Sequence, residues 1–208
     1  MVTGATQGLG LALANECIEH GFDVMLCSEG EEVVDAAALL QREGARVYPV
    51  REDLSTMEGC DGLYAAIINS GRDVDALLLN AGTEVFGPFL ETPLEDELET
   101  IALNCAHTVH LTKRILRRMV PRRSGRVLIT GPLLADANGE PEAVFSASRA
   151  FVLTFAQALR RELAGTGVTL TVAQGDANET AFLNRAGLTD TEAMAASESF
   201  EAMMEGRP

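Results

Sequence analysis

Three glycines near the start of the chain could bring a phosphate group close to the backbone. The segment leads into a helical pattern and reads Thr3-Gly4-Ala5-Thr6-Gln7-Gly8-Leu9-Gly10. A pyrophosphate binds the backbone N–H groups at a helix N-terminus, and a Cβ atom at these positions would block its approach. A tight strand-to-helix turn also uses glycine, so the cluster alone leaves both interpretations open. Its place in the first strand–turn–helix unit favours a nucleotide site.

An acidic side chain follows at the distance where a dinucleotide site binds ribose hydroxyls. Glu29 comes after the second predicted strand, nineteen residues beyond Gly10. The alternative is a solvated loop acid beside Glu31 and Glu32. A carboxylate facing the ribose would repel a 2′-phosphate, so this interpretation favours NAD over NADP.

Short apolar runs alternate with longer helical patterns along the chain. The predicted strands cover 22–27, 46–50, 74–79, 126–130 and 168–173. The predicted helices cover 8–20, 31–43, 57–70, 94–119 and 144–163. Residues 92–95 add a helix start signal, with Thr92 as the cap, Pro93 at the first helical position and Glu95 three residues past the cap. Such alternation predicts a single α/β domain with a doubly wound, Rossmann-like parallel sheet.

Both ends of this sheet are expected to be short. Only Met1 and Val2 precede the glycine turn, so we expect the first strand, which is central in such a sheet, to be truncated. No strand pattern follows residue 173, so we expect the last strand to be missing. We divide the chain into a dinucleotide-binding domain over 1–187 and an acidic, helical tail over 188–208.

Composition excludes several classes of protein. The chain has 208 residues, 47% of them hydrophobic, and a net charge of −15. A wholly disordered chain is less apolar, and so acidic a chain is repelled by phosphate backbones, so we expect no nucleic-acid partner. No apolar run reaches the length of a membrane span. The four cysteines and three histidines lack metal-ligand spacing, so we expect no metal, reduced thiols and a cytoplasmic location.

The spacing TGxxxGxG, rather than GxGxxG, resembles that of the short-chain dehydrogenase/reductase family. Asp53 and Leu54, after the third strand, are similar to the family's adenine-contacting pair. Asn104 stands in the long helix where the family has a helix-kinking asparagine. The resemblance extends over residues 1–187 and implies a nicotinamide cofactor. The cofactor-binding residues that it implies are Gly4, Thr6, Gly8, Leu9, Gly10, Glu29, Asp53, Leu54, Asn80, Ala81 and Gly82.

The resemblance also implies hydride exchange between a nicotinamide and a carbonyl or alcohol, carried by Tyr, Lys, Ser and Asn. Here the tyrosine position is Phe145, the lysine position Arg149 and the serine position Pro132, and only Asn104 is retained. Phenylalanine has no proton to transfer, and general acid–base catalysis is worth roughly 10²–10⁴-fold. A guanidinium cannot relay a proton because it stays protonated in proteins. We therefore expect impaired chemistry, and Ser148 is the first alternative donor to consider.

Three interpretations stay open: an oxidoreductase with impaired or rerouted chemistry on an unidentified small molecule, a non-catalytic nucleotide- or partner-binding homologue, and a truncated gene product. Members of the family pair two helices across a two-fold axis, which implies a homodimer through helices 94–119 and 144–163. The expected seam of the second helix comprises Ala147, Ala150, Phe151, Phe155 and Leu159. Cations cluster between residues 113 and 126, either as a solvated helix end or as a patch for an acidic partner.

Overall fold

Six parallel strands form one sheet in the order β3-β2-β1-β4-β5-β6. The computed structural model describes residues 1–41, 45–130, 143–173 and 190–207, and for 190–195 it describes the backbone. The strands of this part of the chain are β1 (Val2–Thr3), β2 (Val24–Ser28), β3 (Val47–Arg51), β4 (Ala76–Leu79), β5 (Gly125–Ile129) and β6 (Val168–Val172). The strand order reverses direction between β1 and β4, as in a doubly wound sheet. The predicted fold class is confirmed.

Helices lie between the strands as predicted, with small shifts at their ends. They are α1 (Gly8–Glu19), α2 (Glu32–Leu40), α3 (Met57–Asn69), α4 (Leu94–Ile101), α5 (His107–Arg122), α6 (Ala143–Glu162) and α7 (Asp190–Glu205). The single helix predicted over 94–119 is divided, because a π-helical segment, Ala102–Ala106, joins α4 to α5. None of the helices in the described ranges combines the length and the apolar character that crossing a membrane requires.

The sheet has an apolar core on each face because successive strand side chains point in opposite directions. Leu77 and Leu79 of β4 face the layer formed by α3, α5 and α6. Leu78, between them, faces α1, α2 and α7 together with Val2 of β1. Leu77, Leu78 and Leu79 are all fully buried, so helices cover both faces of the sheet. Such double coverage is expected for continuously apolar parallel strands.

The central strand is short but is paired on both sides. Val2 lies opposite Leu26 of β2 and Leu78 of β4. The amino group of Met1 is buried and donates to the carbonyl oxygen of Ala76 at 3.1 Å. The expectation that no strand follows β6 falls largely on residues 174–189, which lie outside the described residues.

The terminal helix α7 contributes to the core. Ala196, Phe200 and Met203 are fully buried against the layer that contains α1. The ring of Phe200 lies 4.5 Å from that of His20 and 6.3 Å from that of Phe22, centroid to centroid. This end of the chain therefore helps to hold α1 on the sheet.

All four cysteines are free thiols, as predicted. Cys17, Cys27 and Cys60 are buried, and Cys105 is half-buried. Burial raises the pKa of Cys17 and Cys60 to about 11 and that of Cys27 to about 12. These three side chains are therefore neutral packing groups.

Candidate functional site

The glycine turn requires glycine for two different reasons. Gly4 and Gly8 have φ values of +63° and +56°, in the left-handed region that side chains disfavour. A Cβ atom at Gly4 would also come within 2.8 Å of the Cα of Ala81. At Gly10 a Cβ would overlap the Gly4 carbonyl and the Asn80 amide. Glycine therefore allows the turn to pack directly on the end of β4.

Asn80 ties the turn to two other strand ends. Its Nδ2 donates to the carbonyl oxygen of Gly4 at 3.0 Å, and its Oδ1 accepts from Thr130 Oγ1 at 2.8 Å. The hydroxyl of Thr3 accepts from the backbone N–H groups of Asn80 and Ala81, each at 3.0 Å. Thr3 and Thr130 are fully buried, so these bonds are shielded from water. The bond between Thr130 and Asn80 was not predicted from the sequence.

A cleft of about 330 Å³ opens beside this network, at the carboxyl ends of the strands. Open α/β sheets bind ligands at this edge, where the strand order reverses. Eight of the predicted cofactor residues line it: Gly4, Thr6, Glu29, Asp53, Leu54, Asn80, Ala81 and Gly82. The other three, Gly8, Leu9 and Gly10, form the adjoining first turn of α1.

The cleft also contains residues that sequence reasoning missed. They are Gln7, Cys27, Ser28, Glu52, Thr83, Glu99 and Leu103. Ser28 ends β2 and Glu52 follows β3, so their places at the carboxyl ends of strands could have indicated them. Thr83, Glu99 and Leu103 come from segments after β4, and only the tertiary fold brings them to the cleft.

The described lining of the cleft is acidic. Its charged members are Glu29, Glu52, Asp53 and Glu99, and no lysine or arginine is among them. Asp53 Oδ1 accepts from the N–H of Ser55 at 2.9 Å and from its hydroxyl at 2.6 Å. One oxygen of Asp53 therefore stabilises the turn before α3. The field of these carboxylates disfavours additional negative charge near them.

Asn104 lies inside the π-helical segment with its side chain fully buried. Its Oδ1 accepts from Thr83 N at 2.9 Å, and its Nδ2 donates to Thr83 O at 2.8 Å. The same Nδ2 donates to Ser148 Oγ at 3.0 Å. Thr108 Oγ1 donates to the Asn104 carbonyl at 3.0 Å. The π-helical distortion therefore places Asn104 as a link between the segment after β4 and helix α6.

Phe145, assigned to the tyrosine position from the sequence, has an apolar ring. It is 1% exposed, and its ring meets Phe86 edge-on with the centroids 5.8 Å apart. The guanidinium carbon of Arg149 lies 5.9 Å from the Phe145 centroid, within cation–π distance. Pro132, at the serine position, lies outside the described residues. Among the described residues, the side chain at the position expected for a proton donor packs against Phe86 and Arg149.

Ser148 is not poised to replace the missing tyrosine. It is 3% exposed, and its hydroxyl donates to the Phe145 carbonyl at 2.7 Å while accepting from Asn104. Both the proton and one lone pair are thus engaged inside the protein. This geometry argues against the alternative donor considered from the sequence.

Comparison with known proteins places the chain in a family. The sequence profile of the short chain dehydrogenases matches residues 1–191. This protein belongs to the short-chain dehydrogenase family. The oxidoreductase YvaG of Bacillus subtilis is 31% identical over 173 residues, which cover 82% of this chain and 64% of that protein. The chain therefore spans just under two thirds of the length of this relative.

Two solved structures show the same fold. A short-chain dehydrogenase from Streptomyces avermitilis superposes with a TM-score of 0.80 at 24% identity, covering 100% of this chain and 85% of the other. A metagenomic short-chain oxidoreductase in complex with NADP gives a TM-score of 0.77 at 20% identity, covering 94% and 88%. At these identities the likeness shows the fold alone.

Proposed function

We propose that this chain binds NAD(H) in the cleft at the carboxyl ends of the strands and prefers it to NADP(H). The observation that carries the proposal is the glycine turn, which Asn80 and Thr130 hold at the mouth of an acidic cleft. A solved relative of the same fold is in complex with NADP, which supports a nicotinamide cofactor. The preference for NAD rests on Glu29.

The residues present suit the parts of a dinucleotide. The first N–H groups of α1, from Gly8 to Gly10, have no acceptors within the helix and would bind the pyrophosphate. Asp53 and Leu54 would lie beside the adenine, and the carboxylate of Glu29 would accept bonds from the ribose hydroxyls. When bound, the nicotinamide supplies or accepts a hydride.

We infer that carbonyl reduction by this chain is very slow. Phe145 has no proton to donate, and Arg149 keeps its charge. The Asn104 amide is fully engaged by Thr83 and Ser148. A nucleotide-binding homologue without catalysis is the second candidate. The observation that favours it is the packing of Phe145 against Phe86 at the position of the proton donor.

Calorimetric titration with NADH and NADPH tests the binding proposal. We expect NADH to bind more tightly, and we expect Glu29→Gln to reduce the preference by about tenfold, since a hydrogen bond to a charged group is worth roughly 1.5 kcal/mol. Glu58→Gln, an equal change of charge in the first turn of α3, is the matched control. Equal affinities for the two nucleotides, or no binding by a folded sample, would contradict the proposal.

We also propose that the chain forms a homodimer through helices 94–119 and 144–163. Apolar side chains remain exposed on this side: Ile101 is 45% exposed, Val109 37% and Phe151 43%. Of the expected seam, Ala147, Ala150 and Phe151 are exposed, whereas Phe155 and Leu159 are half-buried. Pairing two copies would cover this surface. The free thiols support a cytoplasmic location.

A further inference from the structure

Arg51 brings a positive charge to the rim of the acidic cleft. It is the last residue of β3 and lies in register with Ser28, the last residue of β2. Its Nε donates to the main-chain carbonyl of Glu29 at 3.0 Å. The guanidinium is therefore attached to the residue that we place beside the ribose.

Glu31 engages the same guanidinium from the other side. Its Oε1 lies 2.9 Å from Nη1 of Arg51. Arg51 thus bonds two residues of the segment between β2 and α2: the backbone carbonyl of Glu29 and the side chain of Glu31. The charge of Glu31 offsets that of Arg51 at the place where a 2′-phosphate would arrive.

A 2′-phosphate carries about −1.5 to −2 charges at neutral pH and would seek a planar, bidentate donor. Arginine provides such a donor for phosphate, but here the Glu31 carboxylate already binds the Nη1 of Arg51. The arrangement therefore contains both a group that attracts a 2′-phosphate and a group that competes for it.

We propose that Glu31 and Arg51 together determine nucleotide specificity: Glu31 holds Arg51 away from the 2′-phosphate of NADP(H), and removal of Glu31 makes Arg51 a phosphate ligand. This inference rests on the proposed function, because it assumes that the ribose lies beside Glu29. The side chains of Arg51 and Glu31 are 60% and 84% exposed, so solvent screens the pair. Exposed pairs are worth about 0.2–1 kcal/mol, so the expected change is about 1.4- to fivefold.

The test compares NADPH and NADH affinities of the full chain by calorimetry. We expect Glu31→Gln to strengthen NADPH binding about 1.4- to fivefold and to leave NADH binding within error. The matched control is Glu32→Gln, which removes the neighbouring exposed carboxylate of α2 and should not produce this selective gain. The double variant Glu31→Gln/Arg51→Gln should lose the gain.

Two adenosine probes isolate the ribose end from the rest of the cofactor. Adenosine 2′,5′-bisphosphate should respond to Glu31→Gln as NADPH does, and adenosine 5′-monophosphate should not respond. The gain should shrink as ionic strength rises from about 0.01 M to about 0.1 M, because the Debye length falls from about 30 Å to about 10 Å.

The outcomes separate this inference from the proposed function. Intact NADH binding with an NADPH affinity that Glu31→Gln does not change, or that Glu32→Gln changes equally, would overturn this inference alone. A gain that persists in the double variant would also overturn it, since Arg51 would then not be the phosphate ligand. No NADH binding by the unmodified, folded chain would overturn both.

Discussion

Asn104 Nδ2 lies 3.0 Å from Ser148 Oγ, and this bond joins the π-helical segment to helix α6. The Ser148 hydroxyl donates a hydrogen bond to the backbone carbonyl of Phe145 at 2.7 Å. Asn104 therefore fixes the turn of α6 that carries the family's tyrosine position. Among the described residues, the donors of this network bond the Thr83 carbonyl, the Ser148 hydroxyl and the Phe145 carbonyl.

Replacing Ser148 should affect stability and not chemistry. Ser148→Ala removes the acceptor of one of the two Nδ2 hydrogens of buried Asn104, while the bond to the Thr83 carbonyl remains. The donor left without a partner should lower the free energy of unfolding by about 1–2 kcal/mol. Urea unfolding measures this loss. Thr154→Ala, on the exposed side of α6, should change stability by less than about 0.5 kcal/mol. If Ser148→Ala instead abolished a measurable reductase activity while the chain stayed folded, Ser148 would be the proton donor after all.

Restoring the family's catalytic side chains should restore turnover. The triple change Phe145→Tyr, Arg149→Lys and Pro132→Ser should raise the rate of ketone reduction by at least about 10²-fold, since it returns a proton donor and its partners. Each single change should gain far less because such groups act as a unit. The loss of NADH absorbance with a panel of small ketones and aldehydes measures the rate.

Two outcomes of that experiment would change the interpretation. Robust turnover by the unmodified chain that survives Phe145→Ala would show that another group supplies the proton. A triple variant that binds NADH without any gain in rate would favour the non-catalytic homologue.

His107 should make the fold sensitive to mild acid. Its side chain is 1% exposed, its Nδ1 bonds the Leu103 carbonyl, and burial lowers its pKa from 6.5 to about 4. Between pH 6.5 and about pH 4, His107 is protonated in the unfolded chain and neutral in the folded chain. The contribution to stability is therefore complete above about pH 6.5 and declines as the pH falls towards 4, by at most about 3 kcal/mol.

Chemical unfolding of the unmodified chain and of His107→Gln between pH 4 and pH 7 tests this dependence. The variant should show a shallower fall in the free energy of unfolding across that window. His20→Gln, at the exposed end of α1, is the control and should keep the original slope. Parallel curves for the unmodified chain and His107→Gln would contradict the assignment.

Introducing charge on the exposed side of α6 should separate the proposed dimer. Phe151 is 43% exposed and stacks on Phe155 with the ring centroids 6.1 Å apart. Phe151→Asp places a charge where apolar surfaces would meet, so sedimentation at micromolar concentration should show monomers. Leu39→Asp on α2, where Leu39 is 72% exposed, should leave the dimer intact. A monomer in the unmodified sample at that concentration would refute the interface.

Periodicity predicted most elements because the buried faces of strands and helices repeat with regular spacing. Periodicity did not predict the π-helical segment, since apolar residues at 98, 101, 105 and 109 also fit a continuous α-helix, whereas the resemblance implied a kink at Asn104. The start of α4 was predicted incompletely. Pro93 takes the cap position without a side-chain cap bond, and the Thr92 hydroxyl bonds Glu97, at 2.6 Å, rather than capping the helix with Glu95 as its partner.

The site was predictable where it follows the backbone and less so where it depends on tertiary contacts. The glycine turn is local, and its residues share one strand–turn–helix unit. Thr83 contributes through two backbone bonds to Asn104, which lies 21 residues away in sequence. Thr130 contributes through one side-chain bond to Asn80, which lies 50 residues away. A short sequence motif does not predict hydrogen-bond partners that are so distant in sequence.

The contact between α1 and α7 has a consequence for the order in which the protein can be completed. Leu13 and Cys17 of α1 share one core with Phe200 and Met203 of α7. During synthesis the ribosome makes α1 long before α7, so this apolar side of the first helix stays uncovered until residues 196–203 have emerged. The nascent chain therefore exposes this apolar surface of α1 for most of its translation. Chaperones bind polypeptides that expose apolar surface in this way.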